Sequence, residues 1–350
     1  MHVVVVGATG NVGTSTAQAL AADPKVTSVL GLARREPGLK IDKVRWERAD
    51  VNDTDLVSHF RGADAVVHLS WLFQPTRSPA VTWRTNVLGS ARVFLAVAEA
   101  GVPCLVYSSS VGAYSPGPKD RAVDEEWPTH GWPGAAYSRE KAYVERLLDG
   151  FESDHPDCRV VRLRPGFMFK REAAQEQRRL FGGPFLPGRL VQPGRLPFVP
   201  AIPGLRFQAL HTADAGDAFC RAVTNERARG PINIAAEPPI GPEELAELMG
   251  ARPIPVPPLA AHSALRVAWS LGLVPASAEL LDLALHVPIM DTSRAREELG
   301  WTPAHSGTEA MAEFFEGLRT GADLETPPLS QATSGPMRLR ELVTGVGRRP

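Results

Sequence analysis

The chain has 350 residues, 43% of them hydrophobic, and its 38 Lys+Arg and 39 Asp+Glu leave a formal net charge of −1. That length and apolar fraction suffice for one or two packed domains and exclude a disordered chain, while the near-neutral balance excludes a strongly basic nucleic-acid binder or a polyacidic tail protein. Only six of the cationic residues are lysine against 32 arginines, and Gly and Pro number 31 and 32, skews that read as base composition of the source genome. In chain order, short apolar runs at Val3–Val6, Val26–Ala33, Ala65–Leu69, Pro103–Tyr107 and Arg159–Leu163 alternate with helical stretches, the pattern of successive βα units. Parallel strands linked through helices predict an α/β fold with a doubly wound parallel sheet over residues 1–166, with a return segment at about 205–230. Residues 167–204 are rich in Pro and Gly and too long for an ordinary connection, as binding flaps are. Helices are predicted at Pro242–Met249, Ala264–Leu271, Ala276–His286, Ser293–Leu299 and Gly307–Arg319, the last opened by a capping box of Ser306 and Glu309. With 167–204, the stretch 231–320 forms a smaller C-terminal domain, and 321–350 reads as a flexible tail.

Cys104, Cys158 and Cys220 sit beside apolar neighbours at no metal-ligand spacing, as buried thiols of a reducing, cytoplasmic compartment would. MHVVVVGATG has neither the basic region nor the apolar length of a signal peptide. The apolar stretch Ala264–Val274 contains Arg266 and is too short to span a bilayer, so no membrane partner is expected. None of the nine histidines lies three to five residues from another, so no metal site is predicted.

Gly7-Ala8-Thr9-Gly10-Asn11-Val12-Gly13 follows the first strand directly and opens a helix marked by apolar Val12, Ala17 and Leu20. A glycine turn there presents backbone N–H groups and the positive helix end to a pyrophosphate, so Gly7, Thr9, Gly10, Asn11, Val12 and Gly13 predict a dinucleotide (Rossmann) site. NAD sites place an acidic residue at the end of the second strand, whereas NADP sites place a cation. Here the strand ends Ala33-Arg34-Arg35-Glu36, and guanidinium suits a phosphate, so NADP(H) is expected in preference to NAD(H).

Tyr137-Ser138-Arg139-Glu140-Lys141 puts a lysine one helical turn from a phenol. A nearby cation favours phenolate, which makes an acid/base for a carbonyl or alcohol while hydride moves to or from the cofactor. Among four tyrosines only Tyr137 has a lysine four residues on, and with lysine so scarce the pairing is hard to attribute to chance.

On these motifs the chain resembles the extended short-chain dehydrogenase/reductase family, which includes NAD(P)-dependent epimerases and dehydratases, over roughly residues 1–320. The resemblance implies further roles. Asp50 and Val51 would contact adenine, and Leu69, Ser70 and Trp71 would run beside the ribose and nicotinamide. Asn86 would support a proton relay. Within Tyr107-Ser108-Ser109-Ser110, Ser108 would line the cofactor and Ser110 would face the substrate oxygen. Pro165, Gly166 and Phe167 would pack on the nicotinamide amide. Tyr137 and Lys141 would act on cofactor and substrate alike, while Tyr114 and His211 would line the substrate cleft. Family members often dimerise through two helices, here starting near Pro79 and Pro133, which implies a homodimer.

Departures narrow the expectation. Ser108-Ser109-Ser110 stands where the dehydratases carry Thr-Asp-Glu, and Phe207 stands where many epimerases carry an arginine, with Arg206 displaced by one and Arg189 or Arg195 as substitutes. Trp71, Phe73, Tyr114, Trp132, Phe167 and Phe185 would give the cleft aromatic walls, favouring an apolar or ring-shaped carbonyl compound over a sugar nucleotide. The expected activity is reduction or oxidation of a small-molecule carbonyl or alcohol with a Tyr–Lys acid/base. An epimerase of a nucleotide sugar or similar polyol is the alternative, and a non-catalytic NADP-binding sensor a third reading that the Tyr–Lys pair argues against.

Overall fold

Four consecutive valines place β1 (His2–Val6) inside a seven-stranded sheet, because a parallel strand covered by helices on both faces needs apolar side chains on both. The other strands are β2 (Ser28–Ala33), β3 (Val44–Arg48), β4 (Ala65–His68), β5 (Cys104–Ser108), β6 (Arg159–Pro165) and β7 (Gly230–Ile234), in the spatial order β7-β6-β5-β4-β1-β2-β3. Every pairing is parallel. This computed structural model describes residues 1–183 and 194–330.

Val3 and Val5 point into a core shared with Leu20 and, from the helix Thr212–Thr224, Ala215, Ala218 and Phe219. Val4 and Val6 point into the opposite core with Val93, Phe94 and Val97 of the helix Gly89–Glu99 and Val144, Leu148 and Phe151 of the helix Ala136–Asp154. Each fully buried valine contributes about 1.5–3 kcal/mol. The chain therefore has a doubly wound parallel sheet, with a smaller C-terminal domain attached. β3 carries no apolar run, since it is an edge strand whose side chains are all at least partly exposed.

The C-terminal part returns to the sheet through Thr212–Thr224, which lies so close to the helix Asn11–Ala22 that a Cβ on Gly216 would stand 2.6 Å from the Ser15 carbonyl oxygen. Two short strands, Phe167–Phe169 and Ala209–His211, pair in parallel beyond the sheet end. The helix expected from Ala264 begins at Pro258, where proline fits a first helical turn. Ser306 and Glu309 form the capping box at the helix Gly307–Thr320. Residues 321–330 lie against the body: Thr326 and Leu329 are buried, and Gly38 N–H donates to the Glu325 carbonyl at 3.1 Å. Residues 331–350 lie outside the described residues. The three cysteines are buried free thiols. Among the described residues no helix is long and apolar enough to cross a membrane.

Candidate active site

The glycine loop turns between β1 and the helix Asn11–Ala22. Gly7 has φ +87°, and a Cβ there would meet Ser70 N at 2.7 Å, so Leu69 and Ser70 at the end of β4 run directly against the loop. Gly13 passes over the same turn, where a Cβ would stand 2.2 Å from the Gly7 carbonyl oxygen. Gly10 differs: its nearest neighbour would be 3.7 Å away, and no side chain caps the helix. The first helical bond here is Thr14 N–H to Gly10 O, at 3.1 Å, which leaves the N–H groups of Asn11, Val12 and Gly13 ahead of the ladder. An open, uncapped helix N-terminus over a glycine turn fits a dinucleotide pyrophosphate. The Asn11 side chain bridges to Met168 O (3.3 Å) and Thr212 Oγ1 (3.1 Å), tying the loop to the strand Phe167–Phe169 and the returning helix. Lys170 is buried beside that helix turn, its Nζ 2.8 Å from Asn11 O and 2.6 Å from Thr14 Oγ1, and burial pulls its pKa down to about 8.

At the ends of β5 and the helix Ala136–Asp154, Tyr137 Oη donates to Ser110 Oγ at 2.9 Å, and Ser110 Oγ also accepts from Gly112 N–H at 2.9 Å. Gly112 is required, since a Cβ there would lie 2.7 Å from Tyr137 Cε1. Burial pushes the Tyr137 phenol up to about 12, with Ser110 opposing and Glu140 adding to the rise. Lys141 is buried one turn on. Its Nζ donates to Ser108 O at 2.7 Å and lies 3.5 Å from the centre of the Trp71 ring. Burial holds this amine well below the ordinary lysine range, against the pull of Glu145 and Glu140.

An aromatic strip crosses this pair. Phe73 stacks on Tyr137 with ring centres 5.2 Å apart and 12° between planes, and Trp71 meets Tyr137 edge-on at 5.7 Å. Asn86 stands in a π-helical turn, Arg84–Leu88, and its carboxamide exchanges two hydrogen bonds with the Leu72 backbone, at 2.7 and 2.9 Å. Its remaining N–H goes to Glu140 Oε2 at 2.7 Å, a partner absent from the sequence reading. The signal was available, since position 140 shares the helix face of Tyr137 three residues on.

The remaining candidates are dispersed. Asp50 Oδ1 accepts from the Asn52 backbone and side chain after β3, while Val51 packs against Gly89. Pro165 closes β6, and Phe167 lies in the apolar cluster that includes Tyr137 and Trp132. Tyr114 is buried, donating to Asn233 Oδ1 at 2.7 Å and accepting from Arg164. His211 caps the helix Thr212–Thr224, its Nδ1 accepting from Ala213 N–H, so its Nε2 carries the proton and donates to Glu313 at 3.2 Å. His305 closes a group with these two. The nearest nitrogen and carboxylate atoms of the three lie within 4.8 Å of one another. Arg206 is exposed and donates to Lys119 O, Arg195 is exposed, and Phe185 and Arg189 lie outside the described residues.

Over residues 3–181 the chain matches the NAD dependent epimerase/dehydratase family. Uncharacterized protein Rv0501 of Mycobacterium tuberculosis (strain ATCC 25618 / H37Rv) is 25% identical over 325 residues, covering 90% of this chain and 83% of that one. L-arabinose 1-dehydrogenase (NAD(P)(+)) of Haloferax volcanii is 30% identical over 189 residues, 50% of this chain and 70% of that one. Among solved structures, UDP-glucose-4-epimerase from Stenotrophomonas maltophila, with bound NAD and formylated UDP-arabinopyranose, has a TM-score of 0.67 at 21% identity, covering 92% of this chain and 98% of that one.

Six solved structures similar in fold, with TM-scores of 0.65–0.67, hold a nicotinamide cofactor, and in each it is NAD, which overturns the expectation of an NADP preference. The physical reason lies at the end of β2, where Ala33 is buried while Arg34 and Arg35 are exposed at a bend. In a chain with 32 arginines, two exposed ones at a bend need no 2′-phosphate to account for them.

Proposed function

The chain belongs to the NAD dependent epimerase/dehydratase family, and from that premise we propose that it is an NAD-dependent enzyme acting on a nucleotide sugar, with Tyr137 as the group that exchanges the proton of a ring hydroxyl. The observation that carries this reading is the 2.9 Å hydrogen bond between Tyr137 Oη and Ser110 Oγ, on the sheet end that also carries the glycine loop. A substrate oxygen seated between the two hydroxyls would be polarised by Ser110 and would trade its proton with Tyr137. NAD, when bound, supplies the hydride acceptor and donor. The N–H groups of Asn11, Val12 and Gly13 would hold its pyrophosphate, and the backbone of Leu69 and Ser70 would border it. Tyr137 rests as a neutral phenol, the form that gives a proton to a carbonyl oxygen, because burial holds its pKa near 12. Working as a base requires positive charge nearby, which Lys141, one helix turn on, would supply when protonated against the pull of its burial. UDP sugars occupy several structures of this fold, which supports the nucleotide-sugar reading over the apolar carbonyl compound.

A dehydrogenase with net hydride transfer is the second reading, favoured by the likeness to the arabinose dehydrogenase. The two part on cofactor balance. Purified protein with NAD is given UDP-glucose, UDP-glucuronic acid, dTDP-glucose or L-arabinose, with products read by NMR and cofactor by nicotinamide absorbance. Epimerisation yields a new sugar with no net reduction, whereas a dehydrogenase reduces one cofactor per turnover. Tyr137→Phe is expected to lower kcat at least about 100-fold with NAD affinity within a few-fold. Full turnover in that variant overturns the mechanism.

A further inference from the structure

Glu140 lies between Tyr137 and Lys141 in sequence, and the proton transfer above makes no use of it. Its side chain is buried, and burying a carboxylate is costly unless its oxygens are engaged. Both are. Thr82 Oγ1 donates to Oε1 at 2.6 Å and Asn86 Nδ2 donates to Oε2 at 2.7 Å. Asn86, itself fully buried, uses its other N–H on Leu72 O (2.9 Å) and accepts from Leu72 N–H (2.7 Å). Its carboxamide thus acts as a strand partner for one residue of an irregular segment. On either side of that residue stand Trp71, whose ring covers Lys141 Nζ, and Phe73, which stacks on Tyr137.

We propose that Glu140 is a positioning residue: its carboxylate fixes the Asn86 carboxamide that grips Leu72, and so sets Trp71 and Phe73 against Lys141 and Tyr137. The inference rests on reading Tyr137 and Lys141 as the acid/base pair. Hydrogen bonds to a charged acceptor are roughly twice as strong as neutral ones, and two buried donors, Thr82 and Asn86, share this one. Burial raises the Glu140 pKa above the ordinary glutamate value, opposed by the Thr82 and Asn86 hydrogen bonds and then by Arg139 and Lys141, which favour the ionised form. Glu145 faces Lys141 from the next turn, and neutral Tyr137 lies one turn before it.

Amide hydrogen exchange of the full chain, read by mass spectrometry with and without NAD, tests the tether without needing a substrate. Glu140→Ala leaves Asn86 Nδ2 without its acceptor. Exchange at Leu72 should quicken about tenfold or more, about 1.4 kcal/mol, while the β1 peptide stays protected. Glu140→Gln keeps the tether without the charge. Its Oε1 can accept from Asn86, and its Nε2 can donate to Thr82, whose own proton can then turn to Pro79 O, 3.0 Å away. Exchange at Leu72 in that variant should stay within about threefold of wild type. Should Glu140→Ala not fold, Asn86→Ser cuts the tether from the other end and should release Leu72 alike. Wild-type protection at Leu72 in the cut variants overturns the proposal. So does a Gln variant as fast as the Ala variant, or a rise spread over all strands. If the sugar panel fails and Leu72 is still released, the substrate reading alone is lost.

Discussion

Two alanine substitutions three residues apart should separate the fold role of the glycine loop from its binding role. In Gly13→Ala the new methyl would lie 2.2 Å from Gly7 O and 2.6 Å from the Ala8 carbonyl carbon, all backbone with no flexible end to move aside. Overpacking of this kind costs about 1–3 kcal/mol. At roughly 2–4 °C per kcal/mol for larger domains, Tm should fall by several degrees. In Gly10→Ala the methyl meets no atom closer than 3.7 Å, and φ −78° with ψ −178° is open to any residue. Alanine is a poorer N-cap than glycine by about 0.5–1 kcal/mol, offset by about 0.4–1 kcal/mol from the smaller freedom of alanine in the unfolded chain, so Tm should stay within about 2 °C. That methyl nevertheless occupies the open space in front of Asn11, Val12 and Gly13, so the NAD Kd should rise at least about tenfold. Differential scanning calorimetry and isothermal titration with NAD read the two effects. Wild-type NAD affinity in Gly10→Ala would show that the loop does not cradle the pyrophosphate, and an unchanged Tm in Gly13→Ala would refute the packing argument.

Two further outcomes follow from side chains outside the loop. Glu145 is fully buried and bound by Arg164 at 3.0 and 3.1 Å and by Arg162 at 3.1 Å. Glu145→Gln should therefore cost about 3–5 kcal/mol in chemical denaturation. Burial alone would raise the pKa of this carboxyl, but Arg164 and Arg162 hold it down at about 2. Its contribution should be complete above the ordinary glutamate range and lost as pH falls through about 2, so the gap between wild type and variant should close on acidification; a pH-independent gap contradicts the charge account. Val81, Leu88 and Leu95 are 38%, 52% and 65% exposed at seven-residue spacing along Pro79–Glu99, beside Tyr143 of the neighbouring helix at 46%. If this stripe joins two copies, sedimentation should show a dimer that Leu95→Glu converts to monomer, and a monomeric wild type sinks the idea.

The sheet was legible because its strands are apolar on both faces. Val3–Val6 announces itself, as do Ala65–Leu69 and Pro103–Tyr107, whereas β3 is not announced, since VRWER alternates as an exposed edge must. The start of the helix at Pro258 was hidden by prolines that look like loop but occupy the first helical turn. The site divides in the same way. Glycine spacing and the one-turn spacing of Tyr137 and Lys141 are legible because each lies within a single turn or helix, but where the lysine amine goes is not: its Nζ turns to Ser108 O and the Trp71 ring. The cofactor preference failed for a compositional reason, because Arg34 and Arg35 carry little information in a chain so rich in arginine.

What spacing cannot supply is the convergence of separate elements. Asn86 and Glu140 are 54 positions apart, and Asn86 and Leu72 are 14 apart across a π-helical turn that no periodicity announces. Each residue alone is ambiguous: a helix glutamate is ordinarily a solvated charge, and a helix asparagine an ordinary hydrogen bonder. The structure removes that ambiguity by burial. A carboxylate with 2% exposure beside a carboxamide with none must exchange hydrogen bonds or carry the full cost of desolvation. The exchange found here ends on the backbone between two rings that flank the Tyr137 phenol and the Lys141 amine. The scarcity of lysine pointed to Lys141, but the group that sets its surroundings is the acidic residue immediately before it, within the same five-residue motif.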